Sequence, residues 1–242
     1  MLITRLSKLL LLVAMLAGSA VSAAPLPDFE ASYILKRGSL RIGTSNIEFR
    51  SDDDGNYVYE SRSWPTRWVA WLLKDRLHES SRGRLIADGL RPDTYHYQRT
   101  GGSREREADL SFDWEENRVS NHVEGSLWEM EIPPGTIDKL ASQLGMMLAL
   151  RQNKDDVTFK VADGGRLKEY RYKVTGQETV EVPAGTFEPV KVTKLRDNKE
   201  RVTHVWCAPE LNYLPVRIFQ RETDGAEYTS DLESFSEVLR ID

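Results

Sequence analysis

The only cysteine of the chain, Cys207, stands three residues after His204 in the segment HVWCAPELNYLPVRI. A cysteine activated by histidine can act as a nucleophile, and this chemistry requires the two side chains within hydrogen-bond reach. Side chains alternate between the two faces of a strand, so residues three apart point in opposite directions. We therefore expect a buried structural thiol near a strand end. His78, His96 or His122 could approach it from another strand, but nothing in the sequence indicates this.

Potential metal ligands are scattered along the chain. None of the four histidines belongs to an H-x-x-x-H or H-E-x-x-H pattern, and metal sites need clustered ligands. The stretch DDDGN, residues 52–56, has residue types found in calcium loops. Its glycine stands at the fourth position instead of the sixth, and no glutamate follows where an EF-hand requires one. We predict a solvated turn there, and neither a metal nor a cofactor.

Motifs of the common enzyme classes are missing from the sequence. A serine hydrolase would show G-x-S-x-G, and nucleotide enzymes would show a P-loop or G-x-G-x-x-G. The acidic pairs Glu115-Glu116 and Asp155-Asp156 fall where turns are expected, whereas glycoside hydrolysis needs two carboxyl groups facing each other across a cleft. We therefore predict that the protein is not an enzyme and has no catalytic residues.

Tryptophans are the remaining candidates for a functional site. In WPTRWVAWLLKDRL, the residues Trp64, Trp68, Trp71 and Leu72 recur at helical spacing, which predicts a short amphipathic helix. Trp128 lies in a predicted strand just before the longest helical segment. These side chains could form core, or they could form a hydrophobic or glycan-binding surface, because tryptophan combines a large face with one N–H donor. A short helix over the mouth of a curved sheet would serve as a lid.

The segment TIDKLASQLGMMLALRQN predicts the principal helix over residues 136–151, with Thr136 as its N-cap. Its apolar residues cover so much of the helix surface that we expect the sheet to enclose it. An apolar ligand held between sheet and helices would touch both the tryptophans and this helix. The predicted ligand-binding residues are Trp64, Trp68, Trp71, Leu72, Trp128, Leu144, Met147 and Leu148.

The elements that must position these residues are mostly strands. Apolar and polar residues alternate on both sides of the principal helix, with turn signals such as residues 52–56, 164–165 and 224–225 between the runs. The pattern predicts about a dozen antiparallel strands, each with one dry face and one wet face. With no linker or repeat in view, residues 24–242 are expected to form a single domain that is mainly β.

The first 23 residues have the features of a signal peptide. Arg5 and Lys8 precede a short apolar run, and small residues end at Ala23, after which we expect cleavage. The run is too short for a comfortable membrane span, which needs about 20 residues. No cysteine lies near the cleavage point, so a lipoprotein anchor is not expected. The mature chain is therefore predicted to be a soluble protein of the periplasm.

The net charge limits the classes of binding partner, and the cysteine content limits how the fold can be stabilised. The formal charge of −5 becomes −7 once Arg5 and Lys8 are removed, which argues against binding to nucleic acid or to an anionic membrane surface. A single cysteine cannot form an internal disulfide. The mature chain of 219 residues, 242 minus 23, must therefore be held together by its core.

Four segments together resemble one known family. The strand pair ASYILKRGSLRIG, the helix start DKLAS, and the segments VPAGTFEPVKV and LNYLPVRI are similar to the bacterial exported family called domain of unknown function 3108. The resemblance covers nearly all of the mature chain. It implies a large curved antiparallel sheet, or half-open barrel, enclosing one principal helix and a short amphipathic helix. The architecture is also similar to that of the periplasmic lipoprotein carriers, although fold does not imply function.

Three functions remain open at this point. The first is a non-enzymatic periplasmic protein that binds or carries a hydrophobic, acyl-like ligand in maintenance of the cell envelope. The second is an envelope module that contacts another protein. The third is a glycan-binding protein that uses tryptophan platforms. The sequence favours the first, because half-apolar strands, an apolar helix and a tryptophan-rich segment occur together.

Overall fold

The computed structural model describes residues 26–67, 70–71, 74–87, 89–102, 105–123, 126–196 and 201–238. The expected signal peptide, residues 1–23, lies outside them. The described residues form one α-helix, α1 (Ala141–Arg151), a short 3-10 helix (Pro209–Leu211) and seventeen strands. The strands are β1 (Phe29–Arg37), β2 (Leu40–Ser51), β3 (Asn56–Pro65), β4 (Arg76–Ile86), β5 (Gly89–Thr100), β6 (Arg106–Asp113), β7 (Arg118–Val123), β8 (Ser126–Glu131), β9 (Ile137–Asp138), β10 (Asp156–Asp163), β11 (Arg166–Gln177), β12 (Val180–Val182), β13 (Gly185–Phe187), β14 (Val190–Leu195), β15 (Val202–Ala208), β16 (Leu214–Arg221) and β17 (Glu227–Glu237).

Fifteen of these strands belong to one sheet, and β12 and β13 form a separate hairpin. The order in the sheet is β8-β7-β6-β5-β4-β3-β2-β1-β17-β16-β15-β14-β11-β10-β9. All neighbours are antiparallel except β9 and β10, which pair in parallel. The sheet is open, since β8 and β9 form its two ends. The predicted fold class, a large antiparallel sheet that is mainly β, is confirmed.

Irregular pairing curves the sheet. The register shifts in β1 at Ser32/Tyr33 and in β4 at Arg82/Gly83, and such bulges bend a strand and increase its twist. The curvature brings the first end of the sheet towards the last. Trp128 on β8 lies so close to the β10–β11 turn that a Cβ added to Gly165 would be 3.0 Å from its Cε2 atom.

The inner face of the curved sheet carries the main core. Phe29 and Phe49 stack on neighbouring strands, and the edge of Tyr59 packs against both, with ring centroids 5.6 to 6.4 Å apart. Tyr33 donates a hydrogen bond of 2.8 Å to the carbonyl oxygen of Pro215 and so links strands on either side of β17. Burial of these large aromatic side chains is the main source of stability in a fold with no disulfide.

Helix α1 runs inside this curve and is buried on most of its surface, as expected. Leu144 and Met147 belong to the main core. Met146 and Leu150 belong to a second cluster on the inner face of β11, β14 and β15. The helix therefore fills the space between the two halves of the sheet.

The predicted start of the helix at Thr136 is wrong. Residues Ile137 and Asp138 extend as β9 beside Val161 and Ala162, so α1 begins only at Ala141. The Thr136 hydroxyl donates to the carbonyl of Pro133 instead of capping the helix. The Asp138 carboxylate accepts a 2.8 Å hydrogen bond from the N–H of Ala141 and takes the part expected of Thr136.

The expected short helix near residues 64–72 falls partly outside the described residues, including Trp68 and Leu72. Trp64 belongs to β3, one residue before the strand ends at Pro65. The N–H of Ala70 donates to the carbonyl of Thr66, which is one helical turn.

The segment that opened the sequence analysis forms two paired strands, β15 and β16, as its alternation predicts. Val205 and Cys207 share the second core cluster. His204 lies on the other face, with its ring 5.9 Å from that of Trp206. The chain turns through the 3-10 helix and then Asn212, which has a left-handed conformation with φ of 54°. Asparagine is one of the few residues that adopt it readily.

Candidate functional site

Cys207 is fully buried among apolar side chains, including Met146, Tyr172 and Val192. Burial raises the pKa of its thiol well above the usual range, so the sulfur stays protonated and is a poor nucleophile. His204 accepts or donates a 2.9 Å hydrogen bond to Thr193 on the opposite face. The predicted separation of Cys207 from His204 is confirmed.

A polar network that the sequence analysis missed lies at the start of α1. The Asp138 carboxylate accepts a 2.6 Å hydrogen bond from Ser81, whose hydroxyl lies 3.0 Å from that of Tyr57. Asp138 is wholly buried, and this burial raises the pKa of its carboxyl to about 7. The cluster is not visible in the sequence, because 57 residues separate Ser81 from Asp138. Its only local signal is an aspartate three residues before Ala141, as in a helix cap.

Glu79 extends this network. Its carboxylate accepts hydrogen bonds from Tyr95 at 2.6 Å and from Lys139 at 2.9 Å. Acid and base groups are therefore present together on the inner face. Asp138 has no exposed surface, and the network fixes the start of α1 to β4 and β5.

A concavity of about 840 Å³, here the Trp64 groove, lies at one end of β3, β4 and β5. Trp64 follows the alternation of β3, in which Tyr57 and Tyr59 face the core, so its ring projects from the outer face of the sheet. The described residues lining the groove are Arg62, Ser63, Trp64, Pro65, Ala70, Lys74, Arg76, Leu77, His78, Gln98, Thr100 and Gly101.

The charged residues lining the Trp64 groove are cationic. Arg62, Lys74 and Arg76 belong to it, and its described lining includes no carboxylate. Burial lowers the pKa of His78, so this side chain is neutral at neutral pH. The groove therefore combines an apolar wall with a positive rim.

The described members of the predicted ligand-binding set lie in different parts of the fold. Trp64 and Trp71 are 40 % and 72 % exposed, whereas Trp128 lies on the inner face beside Gly165. Leu144 and Met147 are fully buried in the core. The remaining three are the half-buried Leu148, which lines a separate cavity of about 270 Å³, and Trp68 and Leu72, which lie outside the described residues.

Among the described residues, one group of three could supply metal ligands. His96, Glu107 and Asp109 each place a ligand atom within 4.8 Å of the others. The Nδ1 atom of His96 lies 2.7 Å from Asp109 as a surface pair, and both carboxylates are exposed. Strand pairing brings these residues together, which is why their spacing in the sequence gave no indication of it.

Comparison with protein families agrees with the fold and the four resembling segments. A model of the family described as "Protein of unknown function (DUF3108)" matches residues 28–233. The chain belongs to the DUF3108 family. A comparison with curated protein sequences finds no match.

Solved structures with a related fold include another family of unknown function. The DUF3108 chain is similar to the β-barrel-like DUF1849 protein of Brucella abortus, with 11% identity, a TM-score of 0.57, and coverage of 88% of this chain and 98% of that one. A Parabacteroides distasonis protein provisionally described as a lipoprotein has 9% identity, a TM-score of 0.32, and coverage of 87% and 95%. A Bacteroides fragilis protein with a YmcC-like fold, provisionally described as exported, has 12% identity, a TM-score of 0.32, and coverage of 86% and 95%.

The likeness to the DUF1849 protein supports the fold of the DUF3108 chain. In the part of the chain that the structure describes, no helix has the length and apolar character needed to cross a membrane.

Proposed function

We propose that this DUF3108 protein is an exported, non-enzymatic protein of the cell envelope. Its ligand has an apolar body, such as an acyl chain, and an acidic group. The Trp64 groove is the binding site. The observation that carries the proposal is the exposure of Trp64 in the wall of a groove of about 840 Å³.

Exposed tryptophan is the first support. Leaving a large ring in water is unfavourable, and exposed apolar patches in a polar rim are typical of interaction sites. The volume of about 840 Å³ lies within the range of roughly 300–1,000 Å³ in which small-molecule sites occur. A flat ring such as that of Trp64 offers a surface on which an acyl chain can pack.

The positive rim is the second support. Lys74 and Arg76 can pair with a carboxylate or phosphate at one end of a ligand, whereas Arg62 is already paired with Glu60 at 2.5 Å. Asp75 lies beside this rim, but its carboxylate is paired with Arg99 at 2.6 Å and does not neutralise the groove. An amphipathic anion fits such a surface better than a neutral hydrocarbon does.

The proposal that no reaction is catalysed rests on how the reactive groups are arranged. The thiol of Cys207 and the carboxylate of Asp138 are enclosed in the interior. The described lining of the Trp64 groove offers His78 and Ser63 but neither a carboxylate nor a thiol. Glu60 lies 3.8 Å from His78, and its carboxylate is paired with Arg62 and Arg82. Export is supported by the signal-peptide features of residues 1–23, and a lipid-like ligand is to be expected in an envelope compartment.

The test is native mass spectrometry of the protein purified from the periplasm, followed by lipid extraction. We expect a co-purifying acidic lipid or fatty acid. Trp64→Ala should lower its occupancy at least about tenfold, because burial of a large aromatic face is lost. Leu127→Ala is the matched control, since Leu127 is 57 % exposed on β8, at the far end of the same half of the sheet.

Other outcomes would replace the proposal. A retained sugar would indicate a glycan-binding protein that uses Trp64 and Trp71 as platforms. A clean mass of the unliganded chain would favour an envelope module that contacts another protein. Equal lipid occupancy in Trp64→Ala and wild type would show that the lipid binds at a site other than the Trp64 groove.

A further inference from the structure

A second concavity, here the cationic cavity, lies on the inner side of the sheet, between the start of α1 and strands β10, β11 and β14 to β16. Its volume is about 320 Å³. Five of its described lining residues are cationic: Lys139, Lys168, Lys194, Arg196 and Arg201. One lining residue, Asp163, carries a carboxylate.

The carboxylates around the cationic cavity already have partners. Asp163 accepts hydrogen bonds of 2.7 Å from both Lys168 and Tyr170. Glu79 is paired with Lys139 at 2.9 Å, and Glu222 is paired with Arg201 at 2.7 Å. These three pairs leave the basic side chains of Lys194 and Arg196 without a counter-charge of their own.

Among the described residues, no carboxylate lies within ion-pairing distance of Lys194 or Arg196. Arg196 makes one long hydrogen bond of 3.4 Å to Thr203. Within the part of the chain that the structure describes, the buried Nε atoms of Arg196 and Arg201 have no hydrogen-bond partner. The Nζ atom of Lys194 lies over the ring of Tyr170. Buried donors without acceptors cost free energy, and so do like charges held together away from water.

We infer that the cationic cavity binds an oxyanion, a carboxylate or phosphate group, carried on a small apolar body. Lys194, Arg196 and Arg201 line the same cavity, and the Nε atoms of both arginines lack acceptors among the described residues. An oxyanion supplies several acceptors at once. The apolar body fits beside Met146, Val205 and Ile218, which line the same cavity. This site lies on the other side of the sheet from the Trp64 groove and does not depend on it.

Binding should be accompanied by proton uptake. Burial, followed by the neighbouring charge of Arg196, lowers the pKa of Lys194 to about 6, while Asp163 opposes this shift. The amine is therefore mostly neutral at pH 7.5 in the free protein. A bound anion favours the charged amine and raises its pKa again, so Lys194 takes up a proton from the buffer.

Isothermal titration calorimetry with octanoate, inorganic phosphate and 1-octanol tests this inference. We expect octanoate to bind and 1-octanol, which has no charge, to bind at least about tenfold more weakly. At pH 7.5, the binding enthalpies measured in Tris and in HEPES should differ, because the two buffers have different ionisation enthalpies. The difference should correspond to uptake of up to about one proton per octanoate. Phosphate should bind more weakly than octanoate, because it lacks the apolar body.

Lys194→Met keeps the length of the side chain and removes its charge. It should weaken octanoate binding about tenfold or more and abolish the buffer dependence. Arg196→Gln should weaken binding without abolishing it. Lys191→Met is the matched control on the same strand, because Lys191 pairs with Glu178 away from the cavity. Trp64→Ala should leave octanoate binding to the cavity unchanged, which separates this inference from the proposed function.

Several results would overturn the inference. They are undetectable binding of both anions, equal affinity for octanoate and 1-octanol, or full octanoate binding by a folded Lys194→Met variant that also carries Trp64→Ala. If phosphate binds and octanoate does not, the proposed oxyanion site is retained and the proposed apolar body of the ligand is wrong.

Discussion

The hydroxyl of Ser81 donates a 2.6 Å hydrogen bond to the carboxylate of Asp138, and both side chains are buried. The contact joins β4 to the turn that starts α1, across 57 residues of sequence. Because the same carboxylate accepts the N–H of Ala141, the helix start and the inner face of the sheet are held by one ionisable group.

Asp138 should make stability depend on pH. Its pKa is about 7 in the folded chain, raised from 3.8 mainly by burial. The folded state therefore holds a proton that the unfolded state has released between these values. Its contribution to the free energy of unfolding is full below about pH 4, falls as pH rises and is lost above about pH 7. Urea unfolding near pH 5 and near pH 8 measures the change.

Asp138→Asn is expected to remove this contribution. Asparagine resembles the protonated acid, since its amide can donate to Ser81 and its oxygen can accept from Ala141. Relative to wild type, the variant should gain stability between pH 5 and pH 8. Asp156→Asn is the control, because Arg171 lowers the pKa of the exposed Asp156. An identical pH dependence in Asp138→Asn and wild type would contradict the assignment.

Cys207→Ser should fold and should retain any ligand of the Trp64 groove. We expect a loss of about 1–3 kcal/mol in the free energy of unfolding, because the hydroxyl has no partner among apolar neighbours. Cys207→Ala is the control that removes the sulfur without adding a polar group. Denaturant unfolding measures the loss of stability, and native mass spectrometry measures whether the ligand is retained. A normally folded serine variant that loses function would restore the cysteine as a reactive group.

Gly83→Ala should destabilise the sheet at the bulge in β4. A methyl group there would overlap the carbonyl oxygen of Arg91 and lie 2.6 Å from the Cα of Pro92. We expect a loss of about 1–3 kcal/mol or more. Gly176→Ala is the control at the bulge in β11, where an added Cβ meets nothing within 4 Å. That variant should be unchanged or more stable by up to about 1 kcal/mol. Equal stability of the two variants in denaturant would show that β4 and β5 can move apart.

The sequence by itself determined the local structure of this protein. Alternation predicted the strands and placed Cys207 and His204 on opposite faces, because side-chain direction along a strand depends only on position. The left-handed turn at Asn212 agrees with its residue type, because asparagine tolerates that conformation. The principal helix was found, but its start was not. Pairing of Ile137 and Asp138 with β10 overrode the local preference for a helix.

Only the tertiary structure decided where the candidate sites lie. Trp64 and Trp128 are of one residue type, yet the first projects from the outer face and the second packs against the β10–β11 turn. Lys194 and Arg201 meet Lys139 at one cavity because the curved sheet brings β14 and β15 beside α1. Such contacts join residues far apart in the sequence, and curvature depends on bulges and packing along the whole sheet. Periodicity in a short window reports only a residue's nearest neighbours, so it cannot reveal them.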